Sequence, residues 1–350
     1  MSVTGWLVSY FARWLPHAST PGLYKVGGPG PDSPVIVTCN FSLTIKRLEK
    51  ALQGMDVWLL SANSDGINVW CAAGGGILTE QRVIDAIKTS GLAEKVSHKK
   101  IILPQLSAPG VDRRAVEKET GFKVKFGPVH AEDIPEYLEG GDRKTPEMRH
   151  FRFDLRHRMD MLVSMNFPVF LLPAVVLAIF WPQYLAGFSA IFWCGAIVLY
   201  GLVNYIPGKS GWTQVLVTSA VALAVWAGVD WYLFADPLAH WGWLVATPII
   251  LMAVGLDLAG IATPRKSDPE QLLLKLGLEN FGSVFSVKEY GKLHLDREKC
   301  KGCLSCLDVC PVGVYEGLGD DKKIAFADKD ACFSCTACVK QCPEDALSLE

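Results

Sequence analysis

Two rhythms of hydrophobic and polar positions run through this chain. From Pro34 to Gly140 short apolar runs alternate with stretches whose apolar residues recur every three or four positions. PVIVTCNF, MDVWLLSA, INVWCA, KKIILP and KVKFGPV read as strands. SLTIKRLEKALQG, with a Ser cap and a Gly stop, reads as a helix, as do ILTEQRVIDAIKTSG, VDRRAVEKETG and AEDIPEYLEGG. This alternation predicts an α/β, Rossmann-like domain over residues 34–145, with a largely parallel sheet and an N-terminal arm over 1–33.

The second rhythm is unbroken apolarity. Runs at about 161–181, 184–206, 212–235 and 241–262 are each long enough to cross roughly 30 Å of hydrocarbon, and they stay apolar on every side. They predict a four-helix transmembrane domain over 146–265. Trp181, Tyr184, Tyr205, Trp212, Trp231, Trp241 and Trp243 gather near the run ends, as interfacial belts do. Arg149, Arg152, Arg156 and Arg158 precede the first run, Lys209 lies in the second loop, and Arg265 and Lys266 follow the last run. The other two loops carry no Lys or Arg. The expected placement is therefore multi-pass in the cytoplasmic (inner) membrane, with both termini cytoplasmic and lipid as a partner. Asp230 and Asp257 sit near span ends and read as snorkelling or locally paired, with an ion path as the alternative. The opening MSVTGWLVSYFARWLPHASTPG does not read as a signal peptide, and Trp6, Tyr10, Phe11 and Trp14 suit either a packed arm or a membrane surface.

Composition changes this picture at one point. The net charge of -2 argues against a general nucleic-acid binder. Eight of the 11 cysteines fall within residues 300–342, after a linker over 266–290. CKGCLSCLDVCP and CFSCTACVKQCP repeat the spacing C-x2-C-x2-C-x3-C-P. Three thiolates on a tight turn reach three irons of one cubane, and the fourth, at the start of a helix, reaches the other cluster. Cys300, Cys303, Cys306 and Cys342 are thus expected to hold one [4Fe–4S] cluster, and Cys332, Cys335, Cys338 and Cys310 the other. Zinc, which takes four ligands, needs no two runs of four. Residues 291–350 read as an α+β bacterial-type 2[4Fe-4S] ferredoxin domain, served by an upstream electron donor.

Cys71, in NVWCAAGGG, belongs to neither cluster. Gly74, Gly75 and Gly76 leave the backbone open to a large flat ligand, and the following helix directs amide donors toward the thiol, favouring thiolate. A metal-ligand thiolate and a small buried hydrophobe are both compatible with these residues.

NVWCAAG is similar to the signature of HgcA, the corrinoid protein family of microbial mercury methylation. VTCNFSLT, SANSDG, LPQLSAPGV and GFKVKFGPVHAEDIPEYL extend the likeness across roughly 34–140, and similar segments occur in corrinoid subunits of the acetyl-CoA pathway. The cysteine-rich block resembles the family's partner ferredoxin, HgcB, here fused. The resemblance implies cobalamin held base-off, with the Cys71 thiolate as lower axial ligand and Asn68, Val69, Trp70, Ala72, Ala73 and Gly74 shaping the contact. It also implies that the clusters reduce cobalt to Co(I). A methyl group from a methyl-folate type donor or a corrinoid methyl donor protein then passes through methyl-cobalamin to a soft acceptor such as Hg(II). Gly75 stands at the family's Lys position, no cysteine follows Cys342, and the expected span count is four against the family's five.

Cys39 reads as strand core, Cys194 as helix packing, and His98 and His130, near strand ends, as surface residues, with corrinoid contact as the alternative. Two functions are carried forward. The first is a membrane-bound corrinoid methyltransferase with a fused reducing ferredoxin. The second is a membrane-anchored low-potential electron-transfer subunit whose cytosolic domain is structural or binds a partner. A methyl carrier of the acetyl-CoA pathway ranks third, since those proteins are soluble.

Overall fold

A computed structural model describes residues 17–152, 154–203, 205–206, 216–224, 237–255, 293–332 and 334–349. The chain divides into two compact units, Leu15–Phe151 with Ser283–Glu350, and Met1–Trp14 with Arg152–Gly282.

The first unit opens with a five-stranded sheet of β1 (Gly22–Val26), β2 (Val35–Cys39), β3 (Val57–Ala62), β4 (Lys100–Leu103) and β5 (Lys123–Phe126), in the order β1-β3-β2-β4-β5. β2 through β5 are parallel, while β1 runs antiparallel along β3 with Gly22 opposite Ser61. The sheet is therefore mixed, and the segment before Pro34, read as an arm, supplies its edge. Side-chain alternation sorts the core onto two faces. Ile36, Val57, Leu59 and Ile102 meet Ile45 and Leu48 of α1 (Ser42–Ala51), its C-cap Leu52, and Ile134 and Tyr137 of α5 (Ile134–Glu139). Val35, Val37, Leu60, Ile101 and Val124 meet Val83, Ile84 and Ile87 of α3 (Glu80–Thr89) and Val116 of α4 (Arg113–Thr120). Each such side chain, fully buried, contributes roughly 1.5–3 kcal/mol. Local signals set the ends. The Thr79 hydroxyl and the Asp112 carboxylate accept from the first turns of α3 and α4, and Gly121 closes α4 at φ +72°.

INVWCA is not a strand. Val69–Gly74 forms a six-residue helix, α2, whose N-cap Asn68 accepts from the Cys71 N–H at 3.0 Å. The cap overrides the β-preference of Val and Trp, because it satisfies an amide that a short helix otherwise leaves unpaired.

The same unit ends in a small cysteine-rich module. It pairs β6 (Leu293–Leu295) with β9 (Leu347–Leu349) and β7 (Tyr315–Leu318) with β8 (Ile324–Phe326), both antiparallel. Between the pairs lie the short helices α9 (Ser305–Val309) and α10 (Ala337–Gln341). Apolar residues of this module and of the α3–α4 face of the sheet form one continuous cluster.

The second unit contains α6 (Leu155–Phe180), α7 (Pro182–Leu202) and α8 (Pro237–Gly255). α6 begins six residues before the expected run, and Trp181 breaks the chain before α7. Among the described residues, α6 and α7 are long and apolar enough to cross a membrane, and most of their apolar stretches face outward. The third predicted run, Asp230 and Asp257 lie wholly or partly outside the described residues, as do the N-terminal aromatics. Leu172, Ile179, Phe180, Val198 and Ile249 are exposed, while Phe170, Phe188 and Phe192 stack between the helices. Cys194 is exposed, not packed between helices as expected. Arg158 is buried, donating to Gly201 O at 3.1 Å, and Asn166 donates to the Tyr200 hydroxyl at 3.0 Å.

Candidate functional site

The chain leaves β2 toward β3 on one side and returns to β4 on the other, so a topological switch point lies at the carboxyl ends of these strands. Crevices of this kind are where open α/β sheets place ligands. Three loops meet there: Asn40–Phe41 after β2, residues 63–68 leading into α2 after β3, and residues 104–111 after β4.

Asn40 ties the first two together. Its buried Oδ1 accepts from Ser64 N at 2.8 Å, Ser64 Oγ at 2.9 Å and Gly66 N at 3.1 Å, while Nδ2 donates to Ser19 O at 3.0 Å. The third loop presses on α2. A Cβ on Gly110 would lie 2.3 Å from Leu78 O and 2.7 Å from Ala73 Cα, so only glycine allows this approach.

α2 presents its motif unevenly. Val69, Ala72 and Ala73 are buried beneath the helix, so the two alanines serve packing against the 104–111 loop. Asn68, Trp70, Cys71 and Gly74 are half-buried. Cys71 and Gly74, one turn apart, share a face, and a Cβ built on Gly74 meets nothing within 4 Å. Cys71 lies inside a short helix of its own, with its N–H held by Asn68, and not just before the helix that the sequence predicted. What the surface provides is a soft sulfur beside an open glycine, which fits a broad flat group with a metal at its centre. His98 and His130 stand apart from this motif. His98 Nε2 lies 2.9 Å from Ser33 O. His130, expected at the surface, is buried with its ring 5.5 Å from that of Phe151.

The eight cysteines gather in two adjacent sets. Cys300, Cys303, Cys306 and Cys342 line one hollow, walled by Leu295, Ile324 and Leu347. Cys310, Cys332, Cys335 and Cys338 are mutual electrostatic neighbours. In each run the fourth cysteine ends a helix instead of starting one: Cys310 closes α9 and Cys342 closes α10. The two loops repeat in backbone as well as in spacing, with Gly302 and Ser334 at φ +67° and +61° and Leu304 and Thr336 at +62° and +63°. Left-handed Leu, Ser and Thr residues store strain and concentrate at functional sites.

Burial, followed by the neighbouring sulfurs, pushes the Cys306 thiol up to about 12. Burial likewise takes Cys338 to about 12 and holds Cys335 and Cys310 high. Such thiols ionise when cationic iron compensates them, and they release protons as it binds. The buried Tyr315 hydroxyl has no partner of hydrogen-bond geometry and lies against Cys338, where a thiolate sulfur would receive it. On these grounds the residues fit two iron–sulfur clusters.

Polar side chains dock this module onto the 104–114 loop, and sequence reading missed them. Gln341, fully buried, donates to Ala108 O at 2.9 Å and Val111 O at 2.8 Å. Lys340 Nζ reaches Gly110 O at 2.9 Å and the Glu80 carboxylate at 3.2 Å. Lys144, with its side chain 3% exposed, donates to Gln105 Oε1 at 2.9 Å and pairs with Asp308 at 3.0 Å. Burial lowers its ammonium to about 8 despite the Asp308 charge. Only the GlnLeuSerAlaProGly run hinted at this loop, through its turn-forming residues.

Comparison with known proteins matches the α/β region and the cysteine-rich module separately. Residues 10–138 match the family described as CO dehydrogenase/acetyl-CoA synthase delta subunit, and residues 292–343 match the 4Fe-4S dicluster domain. Acetyl-CoA decarbonylase/synthase complex subunit gamma 2 of Methanosarcina mazei is 41% identical over 128 residues, covering 35% of this chain and 27% of that protein. The gamma subunits of Archaeoglobus fulgidus (39% over 121 residues, 34% and 25% covered) and Methanopyrus kandleri (34% over 126 residues, 35% and 27% covered) are similar to the same region. The chain spans about a quarter of the length of these relatives. It thus joins a domain related to the CO dehydrogenase/acetyl-CoA synthase delta-subunit family to a C-terminal 4Fe-4S dicluster domain.

Proposed function

We propose that the chain is a membrane-bound corrinoid methyltransferase whose fused ferredoxin keeps its cofactor reduced. One observation carries the reading: the loop that packs on the Cys71 helix is the loop on which the eight-cysteine module is docked. A redox module docked on the loop that lies beneath the Cys71 helix suits a cofactor that needs low-potential electrons. Relatedness to decarbonylase/synthase gamma subunits supports methyl chemistry, and the outward apolar faces of α6 and α7 support insertion in a membrane, with both termini cytoplasmic.

In this reading the Cys71 thiolate would hold the cofactor's metal. Asn68 fixes the turn on which the sulfur stands, and Gly74 leaves the approach flat. Ala72 and Ala73 hold the helix to the loop beneath it. Cys300, Cys303, Cys306 and Cys342 hold one cluster and Cys310, Cys332, Cys335 and Cys338 the other. Cobalamin, when bound, would supply methyl-transfer chemistry, and the resemblance points to a donor of the methyl-folate class and to a soft acceptor, with Hg(II) the first candidate.

Anaerobic cobalamin titration of the detergent-solubilised full chain tests this. The expected result is one base-off cobalamin per chain with a thiolate-type absorption band, and loss of that band in Cys71→Ala. Absence of binding by the unmutated protein refutes the corrinoid reading and leaves the membrane-anchored electron carrier.

A further inference from the structure

The contact between the two modules includes a polar chain that ends on a cluster ligand. Arg113, at the start of α4, donates from Nη2 to Ser305 Oγ at 2.7 Å, and Ser305 Oγ lies 3.3 Å from Cys303 Sγ. Ser305 is buried. The backbone of Arg113 is held as well, its N–H donating to Gln341 Oε1 at 3.4 Å, on the residue before Cys342. Ser305 and Gln341 thus each adjoin a ligand of the same set, and both are bonded to Arg113.

The protons fix the direction of this chain. A cysteine that ligates iron has no S–H, so its sulfur accepts. The Ser305 hydroxyl then turns its one proton toward Cys303, and its lone pairs accept from the guanidinium. An arginine behind a hydroxyl polarises it, strengthening the bond that it gives. Reduction adds negative charge to a cluster, and hydrogen bonds to its sulfurs favour the reduced form.

We propose that Arg113 of the α/β module is a positioning residue for the cluster held by Cys300, Cys303, Cys306 and Cys342: acting through Ser305, it raises that cluster's reduction potential above the value the cysteine-rich module sets alone. This rests on the ligand assignment above and deepens it. Contact with the α/β module thereby makes this cluster easier to reduce than it would be without Arg113.

The test is a redox titration followed by electron paramagnetic resonance, on the full chain reconstituted anaerobically with iron and sulfide and without cobalamin. In Arg113→Ala one of the two cluster signals should shift to lower potential. At a fixed ambient potential its oxidised-to-reduced ratio should rise about tenfold, equal to 59 mV for one electron. Ser305→Ala, a small change that keeps the fold, should shift the same signal at least as far. The double variant should go no further than Ser305→Ala, and Arg113→Lys should restore part of the shift. The second signal should stay in place throughout. Unmoved potentials, equal movement of both signals, or additive single effects would overturn the proposal. Iron too low for two clusters in the unmutated protein would instead refute the ligand assignment and this proposal with it, while the cobalamin titration bears on neither result.

Discussion

Asn40→Ala should loosen the floor of the Cys71 site by an amount the structure allows to be worked out. The side chain accepts from two backbone amides, Ser64 N at 2.8 Å and Gly66 N at 3.1 Å, in a region sealed from water. The Ser64 hydroxyl has a second acceptor, Ile67 O at 2.7 Å, and loses little. Each orphaned buried amide costs about 1–3 kcal/mol, so the loop should be destabilised by about 2–6 kcal/mol. Even the lower figure is about a thirtyfold change in an opening equilibrium. Hydrogen exchange on the full chain reads this directly: the Ser64 and Gly66 amides should lose at least about thirtyfold protection, while β4 and β5 should change little. Ser64→Ala is the control, since it removes a hydroxyl but no acceptor of a buried amide, and should cost about 1 kcal/mol. Equal losses in the two variants, or unchanged exchange at Ser64 and Gly66 in Asn40→Ala, would refute the reasoning.

Two further perturbations separate packing from ligand binding. Gly110→Ala drives a methyl into Leu78 O and Ala73, which are backbone atoms that cannot swing away, and should cost about 1–3 kcal/mol in a thermal melt. Gly74→Ala meets open space and should leave the melt unchanged or slightly raised, yet cobalamin affinity should fall because the flat face is filled. Unfolding followed against pH addresses Lys144. Its folded pKa of about 8 lies below the ordinary lysine value of 10.5, so between these values the unfolded chain binds more protons and stability should rise with pH. Below about pH 8 both states are protonated and the contribution should be flat. Lys144→Met should abolish the rise, and a variant that keeps it would show that another group titrates there.

What the sequence disclosed depends on how far each partner lies along the chain. The repeated C-x2-C-x2-C-x3-C-P spacing is visible within each run, and Cys300, Cys303, Cys306 and Cys342 line one hollow. α3 and α4 were legible because Thr79, Asp112 and Gly121 mark their ends. The Asn68 cap three residues before Cys71 was available too, but the Val-Trp pair outweighed it, and α2 was read as a strand. β1 was missed because its partner, β3, lies 35 or so residues onward and its own sequence, GLYKV, is short and flanked by glycine and proline. Arg113, Lys144 and Gln341 looked like ordinary helix-surface or loop residues. Their roles arise from partners such as Ser305, 192 residues away, which no local pattern can show.

The bond from Gln341 to Val111 O spans 230 residues, and that separation bears on how the protein is made. At a synthesis rate of about 5–20 residues per second, Gln341 leaves the ribosome roughly 10–45 s after Val111. Throughout that interval the α/β domain, free to fold as soon as β5 and α5 are made, holds its docking loop open to water. The carbonyls of Ala108, Gly110 and Val111 stay hydrated, and the apolar surface later covered by the cysteine-rich module stays bare. The two modules therefore join by the arrival of a later-made segment at a waiting face. Cluster insertion before or after that arrival sets whether the module docks as a rigid, metal-filled body or as a soft one moulded by the surface it meets.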